Sequence, residues 1–379
     1  MVLVPNDSML AIGGFISLSS AVVVVCLLKV LANGGSKVEI DGVVIVAGFT
    51  MITAALIRYL GSGEAYVTGT IKITLSFILV AVYANRIGGG RDTALLEGVS
   101  VAFVVGCCVL LTLSFANYYA FDLDYNRMRP VSGDPNYMSL YYSVVIGLLL
   151  VRVFTGADRG GKAILDCALM ILFVAGGLLS QSRGFIVMMV PVAVYLVVKM
   201  LKTMGNRPFL VFGLLILAAS AATVLSIQPD NVFDRILGRL TSVETAGGSG
   251  RTLIWEAYIR NFFSSIGFFL FGVPQAALGD LGVHIGVGRT VAVHNLYIET
   301  LCQQGFVFSI GFVLAVVGIR QQIPHLRVPG SCLPLISLCA GYFFLSGALS
   351  VTLPFILFVV FLTPLILNAR LKAFKNERT

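Results

Sequence analysis

The chain has 379 residues, of which 58% are hydrophobic and only 12% charged, with a mean hydropathy of +0.95; soluble domains carry roughly 25% charged residues. That composition excludes an ordinary soluble domain and predicts an integral membrane protein. The net charge of +8 does not call for nucleic acid, because an excess of Lys and Arg in cytoplasmic loops accounts for it.

A helix needs ~20 mostly apolar residues to cross a bilayer core. Lipid satisfies no backbone polar group, so repeated runs of that length predict a helical bundle. Runs of this kind fall near 9–31, 42–61, 67–86, 96–116, 137–156, 163–181, 184–202, 208–227, 294–319, 332–348 and 351–368. No basic residue precedes the first run, which therefore lacks the opening of a cleaved signal peptide and is expected to stay as a span. The longest polar stretch is 228–293. The expected fold class is all-α: a polytopic transmembrane bundle of about 11–12 spans with one long extracytoplasmic loop containing short amphipathic helices. Three regions follow: 1–227 with spans 1–8, the large loop 228–293, and 294–379 with the last spans and a basic tail.

If the tail carrying Arg370, Lys372, Lys375 and Arg378 is cytoplasmic, alternate loops collect Lys29 and Lys37, Arg86 and Arg91, Arg152, Arg159 and Lys162, Lys199, Lys202 and Arg207, and Arg320 and Arg327. The opposite side then owns 117–136, the turn 180–184 and the loop 228–293. Its basic residues are Arg58, Arg127, Arg129, Arg183, Arg235, Arg239, Arg251, Arg260 and Arg289, with Lys72 the one lysine and expected inside a helix. Arginine is the residue that grips phosphate oxygens two at a time without losing its proton. The cytoplasmic loops are too short to cradle a nucleotide, so chemistry is expected on the outer face or within the bundle.

Seven cysteines (Cys26, Cys107, Cys108, Cys167, Cys302, Cys332 and Cys339) lie in or at the ends of apolar runs, with no C-x-x-C spacing. Neither a disulfide framework nor a zinc site is expected, and the chain predicts no metal or cofactor.

Within the long loop, "QPDNVFDRILGRL" (228–240) reads as a short amphipathic stretch and "TAGGSG" (245–250) as a flexible turn. "RTLIWEAYIRNFF" (251–263) reads as a helix with Arg251 at its start and Trp255, Tyr258 and Phe262 on one face. Such a face also suits a helix lying in the headgroups. "FFLFGVP" (268–274) dips back toward apolar surroundings.

His294 stands where the run 294–319 begins. Gly305 lies eleven positions on, so a continuous helix would place it ~20° from His294 on the same face, open to close approach by a neighbour. A lone histidine at a span end also suits a structural or interfacial role. A neutral imidazole there would take a proton from a sugar hydroxyl. Arg183 sits in the turn of "LLSQSRGF" (178–185), where a charge is costly unless paired or lining a wet cavity; a headgroup contact is the plainer alternative. Arg251 follows a glycine-rich turn at a helix start, where backbone N–H groups and a cation together suit an anion.

Ser-Arg-Gly in a short outer turn, Ser-Gly-Arg at the opening of a loop helix, His-Asn at the start of the next span, and "GDPNY" (133–137) together resemble the O-antigen ligase and polymerase superfamily. These are membrane glycosyltransferases of bacterial surface-polysaccharide assembly. The resemblance covers about 133–320. It implies transfer of an undecaprenyl-pyrophosphate-linked glycan at the periplasmic face of the inner membrane. The acceptor would be another lipid-linked repeat (polymerase) or the lipid A core (ligase). Arg183 and Arg251 would hold the donor pyrophosphate and His294 would deprotonate the acceptor hydroxyl, with inversion and no metal. Arg289, Arg127 and Asn295 are candidates for secondary substrate contacts, and a chain-length regulator is a candidate partner. The ligase branch often has a small residue or tyrosine where this chain has Phe308, which favours the polymerase branch, as does the absence of an extended basic surface for lipid A core.

Three other readings compete. "GGSG" (247–250) matches a serine-nucleophile pattern, but Ser249 lies in a polar loop rather than in a pocket below the membrane surface. "DLD" (122–124) would hold a divalent metal, with Arg127 and Arg129 near enough to neutralise it instead. A flippase or secondary transporter for a lipid-linked solute would use mid-span charges, for which Lys72, Asp166 and Glu299 are the candidates.

Overall fold

The computed structural model describes residues 41–62, 67–88, 93–120, 128, 135–154, 161–182, most of 184–194, 251–279 and 293–321. Among these residues the chain is all helical, with no strand. The long helices are α1 (Gly42–Ser62), α2 (Val67–Gly88), α3 (Thr93–Ala120), α4 (Pro135–Phe154) and α5 (Gly161–Leu179). After them come α6 (Arg251–Phe262), the short α7 (Ile266–Phe271), and α8 (Phe306–Gln321). The first five stand where the apolar runs 42–61, 67–86, 96–116, 137–156 and 163–181 predict them. The chain is again helical at 184–186 and 188–190. The runs 9–31, 208–227, 332–348 and 351–368 lie outside the described residues.

α1 and α5 are long and apolar enough to cross a membrane. On α1, Val44, Ala47, Gly48, Met51, Ala54 and Ala55 are buried, whereas Phe49 is 69% and Leu60 83% exposed. A helix with its small residues inside and its large apolar ones outside is the inverse of a soluble amphipathic helix, and it suits contact with lipid. Side-chain hydroxyls follow the same logic: Thr50, Thr112, Ser114 and Ser143 donate to the carbonyl one turn back, at Val46, Cys108, Leu110 and Ser139, so these four need no water.

Two groups of long helices carry the two larger core clusters among the described residues. In the first, α1 and α8 pack closely and antiparallel. Gly311 and Gly318 are the contact points: a Cβ on Gly311 would lie 2.8 Å from Met51 Cγ, and one on Gly318 2.8 Å from Val44 Cγ2. Fully buried Ala315 lies between them, so a seam of small residues lets the helix axes approach. Phe77 of α2 closes this group edge-on against Phe312, ring centres 5.4 Å apart.

The second group pairs α4 with α5 and adds α3. Tyr142 packs on Phe173 at 5.4 Å, and both are fully buried. At one end of this hairpin Arg152 forms an ion pair with Asp166 at 3.2 Å. Asp166 is 3% exposed, and a buried carboxylate persists only when paired. The described cysteines Cys107, Cys108, Cys167 and Cys302 carry no disulfide. At the other end, the Ser182 hydroxyl donates to Asn136 Oδ1 at 2.9 Å.

The run 294–319 is not one helix. A turn at Leu296–Ile298 widens into a π-helical segment, Glu299–Gln303, and stops at Gln304 before α8 starts. Gly305 has φ +91, a left-handed conformation that ends a helix and that glycine adopts without strain. The ~20° offset expected between His294 and Gly305 therefore does not apply. The cause is a close crossing: a Cβ on Gly305 would fall 2.5 Å from Gly272 N, and one on Gly272, also at φ +91, 2.2 Å from the Gln303 carbonyl oxygen. The neighbour that glycine admits is the protein's own segment after α7. Gly305→Ala should destabilise the fold by ~2–5 kcal/mol, summing left-handed strain and a backbone collision. Thermal unfolding of the purified protein measures this, and an unchanged melting temperature would contradict the crossing.

Candidate active site

The site begins at a corner. His294 is half-buried and has φ 50. The Asn295 that follows is extended, with φ −147, and its Oδ1 accepts from the backbone N–H groups of Tyr297 (3.0 Å) and Ile298 (3.2 Å). Asparagine is among the strongest residues for this capping role. Capping explains why the helix begins after His294 rather than through it, leaving the imidazole on a bend ahead of the first turn. Asn295 is fully buried, and its Nδ2 has no hydrogen-bond partner among the described residues.

The helix that Arg251 opens is fastened to this corner. Trp255, one turn after Arg251, donates its indole N–H to the carbonyl of Val293 at 2.8 Å. Ile254, Tyr258 and Phe262 of α6 form one buried cluster with Val273, Val293 and Cys302. The aromatic face of α6 is thus turned into protein, not into headgroups: Tyr258 is 0% and Phe262 1% exposed. Periodicity predicted the face but not its partner. Leu253, Ile259 and Phe263 are the apolar side chains that α6 and the turn after it leave exposed. Arg260 pairs with Glu256 at 2.5 Å on that outer side, so it does not point at the His294 corner.

Trp255→Phe keeps the ring and removes the N–H, leaving the Val293 carbonyl short of its donor. The loss should be about 1–2 kcal/mol, read as a lowered melting temperature. A melting temperature equal to that of the parent protein would show that the bond carries no weight.

A second corner is built the same way. Ser180 N–H donates to Gly176 O (3.0 Å) and Gln181 N–H to Leu178 O (2.9 Å), closing α5. Gln181 takes φ 49, and the Ser182 hydroxyl then reaches Asn136. The Phe185 ring lies over Gly177, where a Cβ would meet it at 2.1 Å. Met128 N–H donates to Leu179 O at 3.0 Å. The turn of "SQSRGF" and the "GDPNY" segment are thereby in contact.

Of the predicted site residues, His294, Asn295 and Arg251 are described and lie in two segments joined by the Trp255–Val293 bond. Arg183, Arg127 and Arg289 lie outside the described residues, as do Asp122, Asp124 and Ser249. Asp166 is occupied by Arg152, and no group of three or more potential metal ligands occurs among the described residues.

Sequence reasoning missed Arg58. It counts there as one more external arginine, yet it is 4% exposed. Its guanidinium donates to the carbonyls of Gln303 and, at 3.1 Å, Val273. The available signal was a cation inside an apolar run, about one turn short of the end of its helix at Ser62.

The sequence was compared with protein-family models and with curated proteins, and it matches none.

Proposed function

We propose that the chain is a multi-pass inner-membrane glycosyltransferase of the O-antigen polymerase type, acting at the periplasmic face on undecaprenyl-pyrophosphate-linked repeat units. One observation carries the reading. Among the described residues only Gln181 and His294 are non-glycine residues with left-handed backbone, and they fall in two of the segments from which the sequence predicts chemistry. Such conformations cost about 1–3 kcal/mol and persist where the surroundings over-determine them, most often at functional sites. The Trp255 bond, which brings the Arg251 helix start to the His294 corner, supports the same reading.

His294 acts as general base on the acceptor hydroxyl. The freed oxygen attacks the anomeric carbon from the face opposite the pyrophosphate; the new C–O bond forms as the bond to phosphate breaks, inverting the centre. The proton stays on the imidazole, and the electron pair leaves on the polyprenyl pyrophosphate. Arg251 and Arg183 neutralise the charge that develops there, an electrostatic role that needs no metal. The ligase reading shares every step but the acceptor. The transporter reading is weakened by Asp166, whose charge is spent on Arg152.

The glycan made by a deletion strain separates the acceptors. Capped single repeats are expected for the polymerase. Uncapped core together with long lipid-linked chains would move the assignment to the ligase.

A further inference from the structure

We propose that Arg58 is a positioning residue for the catalytic base, holding the broken helix that carries His294 at one end; this rests on the transferase reading above. Arg58 lies one turn before the end of α1, and the two carbonyls it holds belong to segments far apart in sequence, Val273 after α7 and Gln303 at the end of the π-helical segment. Those segments also bond to each other directly, Val273 N–H donating to Cys302 O at 2.8 Å. Beside them Gly272 and Gly305 cross backbone to backbone. Breaking a helix below a membrane surface frees carbonyls that lipid cannot satisfy. The guanidinium supplies donors to two of them at once, in a planar fork that an ammonium does not match.

The consequence for His294 follows from chain path. The segment from Asn295 to Gln303 makes two short helical turns in continuous hydrogen-bonded succession, with Glu299 N–H donating to Asn295 O (2.8 Å) and Gln304 N–H to Glu299 O (2.9 Å). It is anchored above by Trp255 on Val293 and below by Arg58 on Gln303. Loss of the lower anchor lets the segment relax toward a regular helix, which shifts its register and swings the His294 corner. Donor binding by the arginines is left in place.

The test uses the full-length protein in proteoliposomes with a polyprenyl-pyrophosphate-linked repeat unit as donor. Arg58→Ala should lower kcat about tenfold or more, as misplacement of a reacting group does, with donor KM within about twofold. Arg58→Lys should recover part of kcat and serves as the measured variant if the alanine form does not fold. Arg260→Ala, on the exposed side of α6, should match the parent protein.

An activity-independent arm uses Val273→Cys, which should cross-link to native Cys302 on mild oxidation when Arg58 is present, and less when it is not. A cross-link that does not form with Arg58 intact overturns the geometry, as does one unaffected by the loss of Arg58. Unchanged kcat per folded protein overturns the positioning role. If the parent protein transfers no glycan, the transferase reading fails, while the cross-link comparison still decides whether Arg58 holds the Val273–Gln303 junction.

Discussion

His294→Ala is expected to abolish glycan transfer while leaving the lipid-linked donor bound. Removing a general base lowers rate by about 10²–10⁴-fold, and here the loss should appear in kcat alone, because in the proposed mechanism the imidazole acts on the acceptor hydroxyl and not on the pyrophosphate. The position itself argues against a passive role. A residue placed only to face headgroups has no reason to adopt a left-handed backbone at φ 50, ahead of a capped helix start and beside a tryptophan that fixes its neighbour's carbonyl. His294→Gln separates the two roles: it is close in size and keeps hydrogen-bonding capacity, but it cannot accept the proton. Near-normal chain length from the glutamine or alanine variant, in protein present at parental amounts, would refute the base assignment.

Arg251→Ala should instead weaken donor binding and transition-state stabilisation together, by ~2–4 kcal/mol on the scale of losing one donor to a developing anion. Lysine at this position restores charge without the two-pronged geometry, so recovery should be partial. Arg251 opens α6, where backbone N–H groups have no intrahelical partner, and the buried face Ile254, Tyr258 and Phe262 packs that helix against Val273, Val293 and Cys302. Binding of radiolabelled donor measures the effect without turnover. An affinity unchanged in Arg251→Ala would remove this arginine from the clamp, and the same experiment on Arg183→Ala tests its proposed partner.

The long helices were legible from the length and apolar composition of their runs, which in a bilayer would leave little choice. An apolar run such as 42–61, if it crosses lipid, is satisfied as a helix, and α1 occupies 42–62. α6 was equally legible, from an arginine after a glycine-rich turn and aromatics at helical spacing. What was illegible depends on partners distant in the chain. Within 294–319 Gly305 does not by itself announce a break after Gln303, since Gly311 and Gly318 of the same run stay helical. The break exists because the segment after α7 crosses at Gly305 and because Arg58 meets carbonyls 215 and 245 positions away. The aromatic side of α6 shows the same limit: spacing reveals a face, and only packing decides whether protein or lipid covers it. At the site, local chemistry pointed to His294 and Arg251, while the bond that joins their segments, from an indole to a main-chain carbonyl, leaves no trace in residue type.

The most direct measurement is reconstitution. Purified protein in vesicles is given a polyprenyl-pyrophosphate-linked repeat unit, with a chelator present and no nucleotide or ion gradient, and the glycans are sized. Lengthened chains, with one polyprenyl pyrophosphate released for each new linkage and none formed by His294→Ala, are the expected result. Repeat units that stay single, or that cross the vesicle membrane unaltered, would contradict the account.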